Sequence, residues 1–159
     1  MKISIDDLKK VTRQAIINQG YNSNDAEIVL EIIMYAQLRG NNQNVVKLVG
    51  AGMPANPNAG EITIVKDTKL SALIDGAWNQ GMVVVTQATE MAIKKAQAHG
   101  FGIVGTHKTN SSTGAIGYYA RQIADAGLIG FIFSGSSEFM AMHGSYEPFF
   151  GTNPLAIGI

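Results

Sequence analysis

The sequence predicts an α/β protein in which a pair of helices precedes strands joined by crossover helices. Three observations predict it. Residues 5–38 carry helical apolar spacing with polar caps. Four later runs, EITIVKD, KLSALID, FGIVGTH and LIGFIFS, are short and rich in β-forming residues. Between them lie segments long enough for helices, so strand and helix alternate.

The first helix is expected over 5–19. Leu8, Val11 and Ala15 fall at i, i+3 and i+7, Ser4 can cap its start, and Gly20 stops it. Asn24 followed by Glu27 resembles a capping box for a second helix from Asp25 to about Leu38. Apolar residues occupy much of its circumference, which predicts burial on more than one side. GAGMPANPNAG, 50–60, has the glycine and proline content of a loop. EITIVKD and KLSALID then read as two strands joined by a turn. A long helix is expected over about 80–99, with Lys94, Lys95 and His99 near its C-terminus and Gly100 as the residue that ends it. FGIVGTH (101–107), a helix over 113–126 and LIGFIFS (128–134) predict a crossover unit with parallel pairing. A polar loop, 135–147, leads to EPFFGTNP and a last apolar run, LAIGI. That run reaches Ile159 without a turn or polar tail, so the sequence is expected to be the N-terminal part of a longer protein. The alternative is a small domain with a C-terminal edge strand.

Composition narrows the chemistry. Of 159 residues, 46% are apolar and 15% charged, and the formal net charge is zero. No basic stripe runs along the chain, which argues against nucleic acid as a partner. There are no cysteines, so disulfides, thiolate metal sites and cysteine nucleophiles are excluded, and no metal set is assigned. Charge appears too early in MKISIDDLKK for a secretory signal. No apolar run approaches the ~20 residues that span a membrane. No membrane partner is therefore assigned, and the cytoplasm is the expected location.

The stretch HKTNSSTGAIGYY, 107–119, concentrates polar side chains before the helix expected from 113. Ser111, Ser112 or Thr113 can cap that helix. The same geometry can hold an anion, since Gly114 and Gly117 leave the first turn open and its N–H groups unpaired. This GxxG is not the GxGxxG of a Rossmann turn. Tyr118 and Tyr119 point about 100° apart on a helix, so at most one lines a site while the other packs.

TGAIGYYARQIADAGLIGF and HGSYEPFFGTNPLAIGI resemble the malate/L-lactate dehydrogenase family, which lacks a Rossmann fold. ALIDG, AIKKAQAHGFGIVG and the Leu-Arg-Gly ending at Gly40 extend the resemblance over nearly the whole chain. It implies an α/β fold with a mixed sheet, an NAD or NADP cofactor, a small 2-hydroxy or 2-keto acid substrate and a homodimer. It divides the chain into an N-terminal helical segment, 1–50, and the start of an incomplete cofactor and substrate domain, 51–159. Thr113, Gly114 and Ala115 then face the cofactor, as do Ser136, Thr152 and Asn153. Asn44, Lys47, Tyr118 and Glu147 are assigned to the substrate.

The family's proton chemistry uses two histidines, and this sequence has neither. Asn44 occupies one histidine position and Ser112 the other, while Lys47 is the local basic residue where an arginine is common. Neither Asn nor Ser takes up a proton near pH 7. One reading relocates the acid/base role to His143, with Glu147 four residues on, or to His107. Another is a site that binds a nucleotide or polar metabolite without redox turnover, for which Asn41, Asn42, Gln43 and Asn44 supply donors and acceptors. A third is a dimer module with neither property.

Overall fold

The computed structural model describes residues 2–159. Helix α1 spans Ile5–Asn18 and α2 spans Ser23–Gln37. Ser4 caps α1 as expected, its Oγ accepting the Asp7 N–H at 3.1 Å. The buried stripe of α1 is not the one expected. Thr12 and Ile16 are buried, with Leu8 and Ala15 packed beside the core, while Val11 is exposed. The cap of α2 is Asn22, not Asn24: its Oδ1 accepts the Asp25 N–H at 2.9 Å, and its amide donates to the Asp25 carboxylate at 2.7 Å. Ala26, Val29, Leu30, Ile32, Ile33, Met34 and Ala36 are all buried, so α2 is covered on several sides as its composition requires. Each fully buried aliphatic side chain contributes roughly 1.5–3 kcal/mol, which makes α2 the spine of the core.

Short 3-10 turns across Val45–Ala51, kinked at Val49 and Gly50, lead into the 50–60 loop. Strands β1 (Thr63–Asp67) and β2 (Ser71–Asp75) form an antiparallel pair. Helix α3 (Gly81–His99) crosses over to β3 (Ile103–His107), which pairs parallel with β2. Order β1-β2-β3 is therefore a mixed sheet. Gly100, at φ 80°, ends α3 and returns its N–H to the Ala96 carbonyl at 2.7 Å, a left-handed turn that favours glycine. The parallel crossover is thus β2–α3–β3. The unit predicted to be parallel is not: β4 (Gly130–Phe133) pairs antiparallel with β7 (Leu155–Gly158) and does not join β3. Two short strands, β5 (Met140–Ala141) and β6 (Pro148–Phe150), form an antiparallel pair within the polar segment.

Helix α4 spans Gly117–Asp125, four residues shorter at its start than the pattern suggested. Its two tyrosines lock it to the helical pair. Tyr118 is buried and its hydroxyl donates to Glu31 on α2 at 2.6 Å, while its ring meets Tyr35 edge-on, centroids 5.5 Å apart. Tyr119 is fully buried. The β4–β7 ribbon lies on the other side of α4, where Gly130 and Gly158 face each other across the ribbon. A Cβ on Gly158 would come within 2.1 Å of the Ala120 carbonyl oxygen, and one on Gly130 within 2.7 Å of Ile123. Side chains alternate along the ribbon. Ile132 and Ala156 pack on the core, whereas Phe131, Phe133, Leu155 and Ile157 are exposed.

Burial holds the phenolic groups of Tyr118 and Tyr119 protonated well above the ordinary tyrosine range, and Glu31 adds to this at Tyr118. Both shifts are upward, so the folded chain keeps protons that the unfolded chain loses. Their stabilisation is complete below pH ~10 and declines as pH rises beyond it. The urea midpoint is expected to fall above pH ~10, and Tyr118→Phe should flatten that fall. A midpoint indifferent to alkali would contradict the burial of both rings.

Candidate functional site

The parallel strands β2 and β3 end side by side, and the loops after them are zipped together. The Gly76 N–H donates to the His107 carbonyl (2.9 Å), Trp78 to Lys108 (2.7 Å), Asn110 to Asn79 (2.7 Å) and Gly81 to Asn110 (2.9 Å). Holding this register places four non-glycine residues at positive φ: Ala77 (45°), Trp78 (62°), Lys108 (51°) and Ser111 (60°). Such conformations are costly and collect where a structure is built for function. Asp75 ties the two loops. Its carboxylate accepts from Lys108 Nζ at 2.6 Å and from the Ala77 N–H at 2.8 Å. The Lys108 hydrogen bond, then that of Ala77, holds the Asp75 carboxyl below the usual carboxylate range. His107 Nε2 stands 4.0 Å from the same carboxylate, beyond hydrogen-bond reach.

The Ser/Thr run does not cap α4. Ser112 Oγ instead accepts the Gly114 N–H at 3.0 Å, closing a turn three residues before the helix, and α4 has no side-chain cap. Two further contacts fix this turn. Tyr119 Oη donates to the Thr113 carbonyl at 2.7 Å, and Thr113 Oγ1 lies 3.5 Å from Ser134 Oγ at the end of β4. Gly114, at φ 72°, has no room for a side chain: a Cβ would lie 2.6 Å from Ile32 Cγ2. The turn thus rests directly on α2.

Ser112, Thr113 and Gly114 open onto a cleft of about 1620 Å³ between β3 and β4. Ser134, Ser136 and Thr152 also line it, Ser134 beside Thr113, as do Val85, Thr89 and Ala92 of α3. Phe101, Ile103, Phe131 and Phe133 make the remaining walls apolar, and none of the lining residues is charged. Of the residues assigned from sequence, Ser112, Thr113, Gly114, Ser136 and Thr152 come together here. Asn153 adjoins them, its Oδ1 accepting the Ser136 N–H at 3.3 Å, and Ala115 follows Gly114 outside the lining.

The other assigned residues are elsewhere. Asn44 is buried and its amide donates to the Asn41 carbonyl at 3.1 Å, a contact that shapes its own loop. Lys47 lies half-buried in the 3-10 turns. Tyr118 is committed to Glu31, and His107 faces Asp75. His143 is exposed in the β5–β6 connection and is not among the residues lining this cleft, while Glu147 edges a separate hollow with Met142 and Phe149. Ser134, Thr109 and Thr89, which also line the cleft, were missed from sequence. Ser134 had a signal, being the polar residue that closes an apolar strand.

Comparison with known proteins gives this arrangement a lineage. Residues 3–159 match the malate/L-lactate dehydrogenase family. The L-sulfolactate dehydrogenase of Methanothermobacter thermautotrophicus is 32% identical over 164 residues, an alignment covering 100% of this chain and 48% of the relative. The ureidoglycolate dehydrogenase (NAD(+)) of Escherichia coli K12 is 30% identical, covering 98% of this chain and 46% of the relative. The crystal structure of malate dehydrogenase from Entamoeba histolytica superposes with a TM-score of 0.86 at 31% identity, covering 100% of this chain and 45% of that one. The chain spans about half the length of the curated relatives it matches. With its sequence matched over 3–159 and its fold superposing on a relative's, this chain belongs to the malate/L-lactate dehydrogenase family.

Proposed function

We propose that the chain forms one wall of the site in an NAD(P)-dependent oxidoreductase acting on a small 2-hydroxy or 2-keto acid, as a cytoplasmic homodimer. The observation that carries this is the meeting of Ser112, Thr113, Gly114, Ser134, Ser136 and Thr152 around one uncharged, partly aromatic cleft. Those residues suit a nicotinamide: hydroxyls can bond its amide, apolar walls exclude water from its ring, and Gly114 lets the group approach the backbone. A nicotinamide held here would provide hydride transfer. The turn at 112–114, held by Tyr119 and packed on α2, would orient it. The lining holds no titratable side chain, and Ser112 cannot carry a proton near neutrality. A site that binds a dinucleotide without fast turnover is consistent with that lack and stands as the second reading.

Titrating the complete polypeptide with NADH and NADPH, followed by nicotinamide fluorescence, is expected to show saturable binding of one or both. Thr152→Trp, which fills the rim from an exposed position, should weaken it at least about tenfold. Fluorescence unchanged by either dinucleotide would remove the cofactor from the cleft and the proposal with it.

A further inference from the structure

The loop over 108–114 carries the Ser112–Gly114 turn, and part of what fixes that loop lies outside the cleft. It rests on the loop after β2 with backbone against backbone. A Cβ on Gly76 would stand 3.0 Å from the Lys108 carbonyl oxygen, and one on Gly81 3.1 Å from that of Ser112. Among the described residues, the side-chain hydrogen bond that joins the two loops is Lys108 Nζ to the Asp75 carboxylate, 2.6 Å. Lys108 sits at φ 51°. Glycine adopts that region freely and residues with a Cβ do so uncommonly. A lysine kept in a glycine-like conformation, with its ammonium on a carboxylate, indicates that the side chain is needed there. Asp75 gives a second reason. Its side chain is 17% exposed, against 50% for Lys108. Without the ammonium, this mostly covered carboxylate would keep the Ala77 N–H as its donor, with His107 out at 4.0 Å, a poorly compensated charge. Ion pairs between two exposed side chains hold little; this one is shielded on the carboxylate side. Neither Asp75 nor Lys108 is among the residues lining the cleft.

We propose that Asp75 and Lys108 are positioning residues for the dinucleotide: their pair sets where Ser112 and its turn stand on the cleft wall, and neither touches the cofactor. This rests on the dinucleotide reading of the cleft. The relay is short. The pair pins Lys108 at the start of the loop. In its middle, the Asn110 N–H donates to the Asn79 carbonyl at 2.7 Å, and the Asn110 carbonyl accepts the Gly81 N–H at 2.9 Å. The Ser112 carbonyl then comes down on Gly81, the first residue of α3, and Ser112 Oγ accepts the Gly114 N–H. The other end of the turn is held independently, by Tyr119 at Thr113 and by Ile32 beside Gly114. Breaking the pair therefore loosens the Ser112 end while Thr113 stays tied and the helical core is untouched. The expected consequence is weaker dinucleotide binding by a folded protein.

Lys108→Met, Asp75→Asn and Lys108→Arg in the complete polypeptide test this, each titrated with NADH and NADPH beside wild type. Lys108→Met changes a half-exposed side chain and keeps its stem, so its urea midpoint should stay near that of wild type. Lys108→Met and Asp75→Asn should each weaken binding by at least about tenfold. Without ligand, both should speed hydrogen exchange over 108–114 by about tenfold while α1 and α2 keep their protection. Lys108→Arg, which returns a cation to Asp75, should restore affinity and protection together. Wild-type affinity in Lys108→Met overturns the proposal, whatever the exchange shows. So does a Lys108→Arg protein as weak as Lys108→Met, since the ion pair is then not what matters. Affinity lost only together with the urea midpoint, or with protection of α1 and α2, makes the pair a support of the whole fold and overturns it too. If wild type binds neither dinucleotide, the cofactor reading fails and this proposal falls with it. If wild type binds and all three variants bind equally well, the positioning role alone is lost.

Discussion

Replacing Tyr119 with alanine is expected to cost about 3–5 kcal/mol of unfolding free energy. The ring is among the largest fully buried side chains and packs edge-on against Tyr118, centroids 5.6 Å apart. A domain of this size has only about 5–15 kcal/mol in hand, so the substitution should bring urea unfolding close to native conditions. Tyr119→Phe separates packing from polarity. It keeps the ring and removes only the hydroxyl that donates to the Thr113 carbonyl, at a cost of about 1 kcal/mol. The same variant should loosen the 112–114 turn and weaken dinucleotide binding more than its small stability cost explains. A Tyr119→Ala protein that unfolds within about 1 kcal/mol of wild type would show that α4 is not anchored as described.

The second large effect is a gain. Ser112 lines the cleft at the position where the family resemblance places a histidine. General acid–base assistance is worth about 10²–10⁴-fold. In the complete polypeptide, Ser112→His should raise the turnover of 2-keto acids with reduced nicotinamide by about 10²-fold or more. The gain should appear in kcat, because the imidazole acts on the reacting oxygen, and should be lost as pH rises well above the ordinary histidine pKa of about 6.5. Steady-state rates across a panel of small 2-keto acids measure it. If cofactor binds normally and Ser112→His leaves every rate at the wild-type level, the cleft is a binding site and not the place of hydride transfer.

The helical pair was legible because its information is local. Burial of α2 follows from its apolar circumference, and Ser4 caps α1 within the span of one turn. The misread starts have a common cause. Asn22, Ser23, Asn24 and Asp25 are all good cap formers in sequence, and only the realised geometry shows that Asn22 bonds Asp25. At α4, residues 113–116 carry no helix breaker but glycine. Ser112 Oγ takes the Gly114 N–H and Tyr119 takes the Thr113 carbonyl, so groups a helix would use are spent on the turn. Strand partners were less legible still. LIGFIFS has the look of a strand beside β3, yet its mate is β7, a choice made by Gly130 meeting Gly158 on α4 and invisible to any local pattern. The polar rim was read mainly through resemblance, and the histidines proposed to replace the missing pair were placed by proximity in sequence. Folding carried His143 and His107 away from the hydroxyls.

The glycine pair beneath the ribbon behaves as a shim of zero thickness. Adding one methyl at Gly158 or Gly130 would collide with Ala120 or Ile123 and lever β4 outward, carrying Ser134 away from Thr113. The gauge of the opening is therefore set partly at Gly158, which lies outside the cleft lining, and partly at Gly130, which borders it without a side chain, so a search for variants with a wider opening has reason to begin at Gly158.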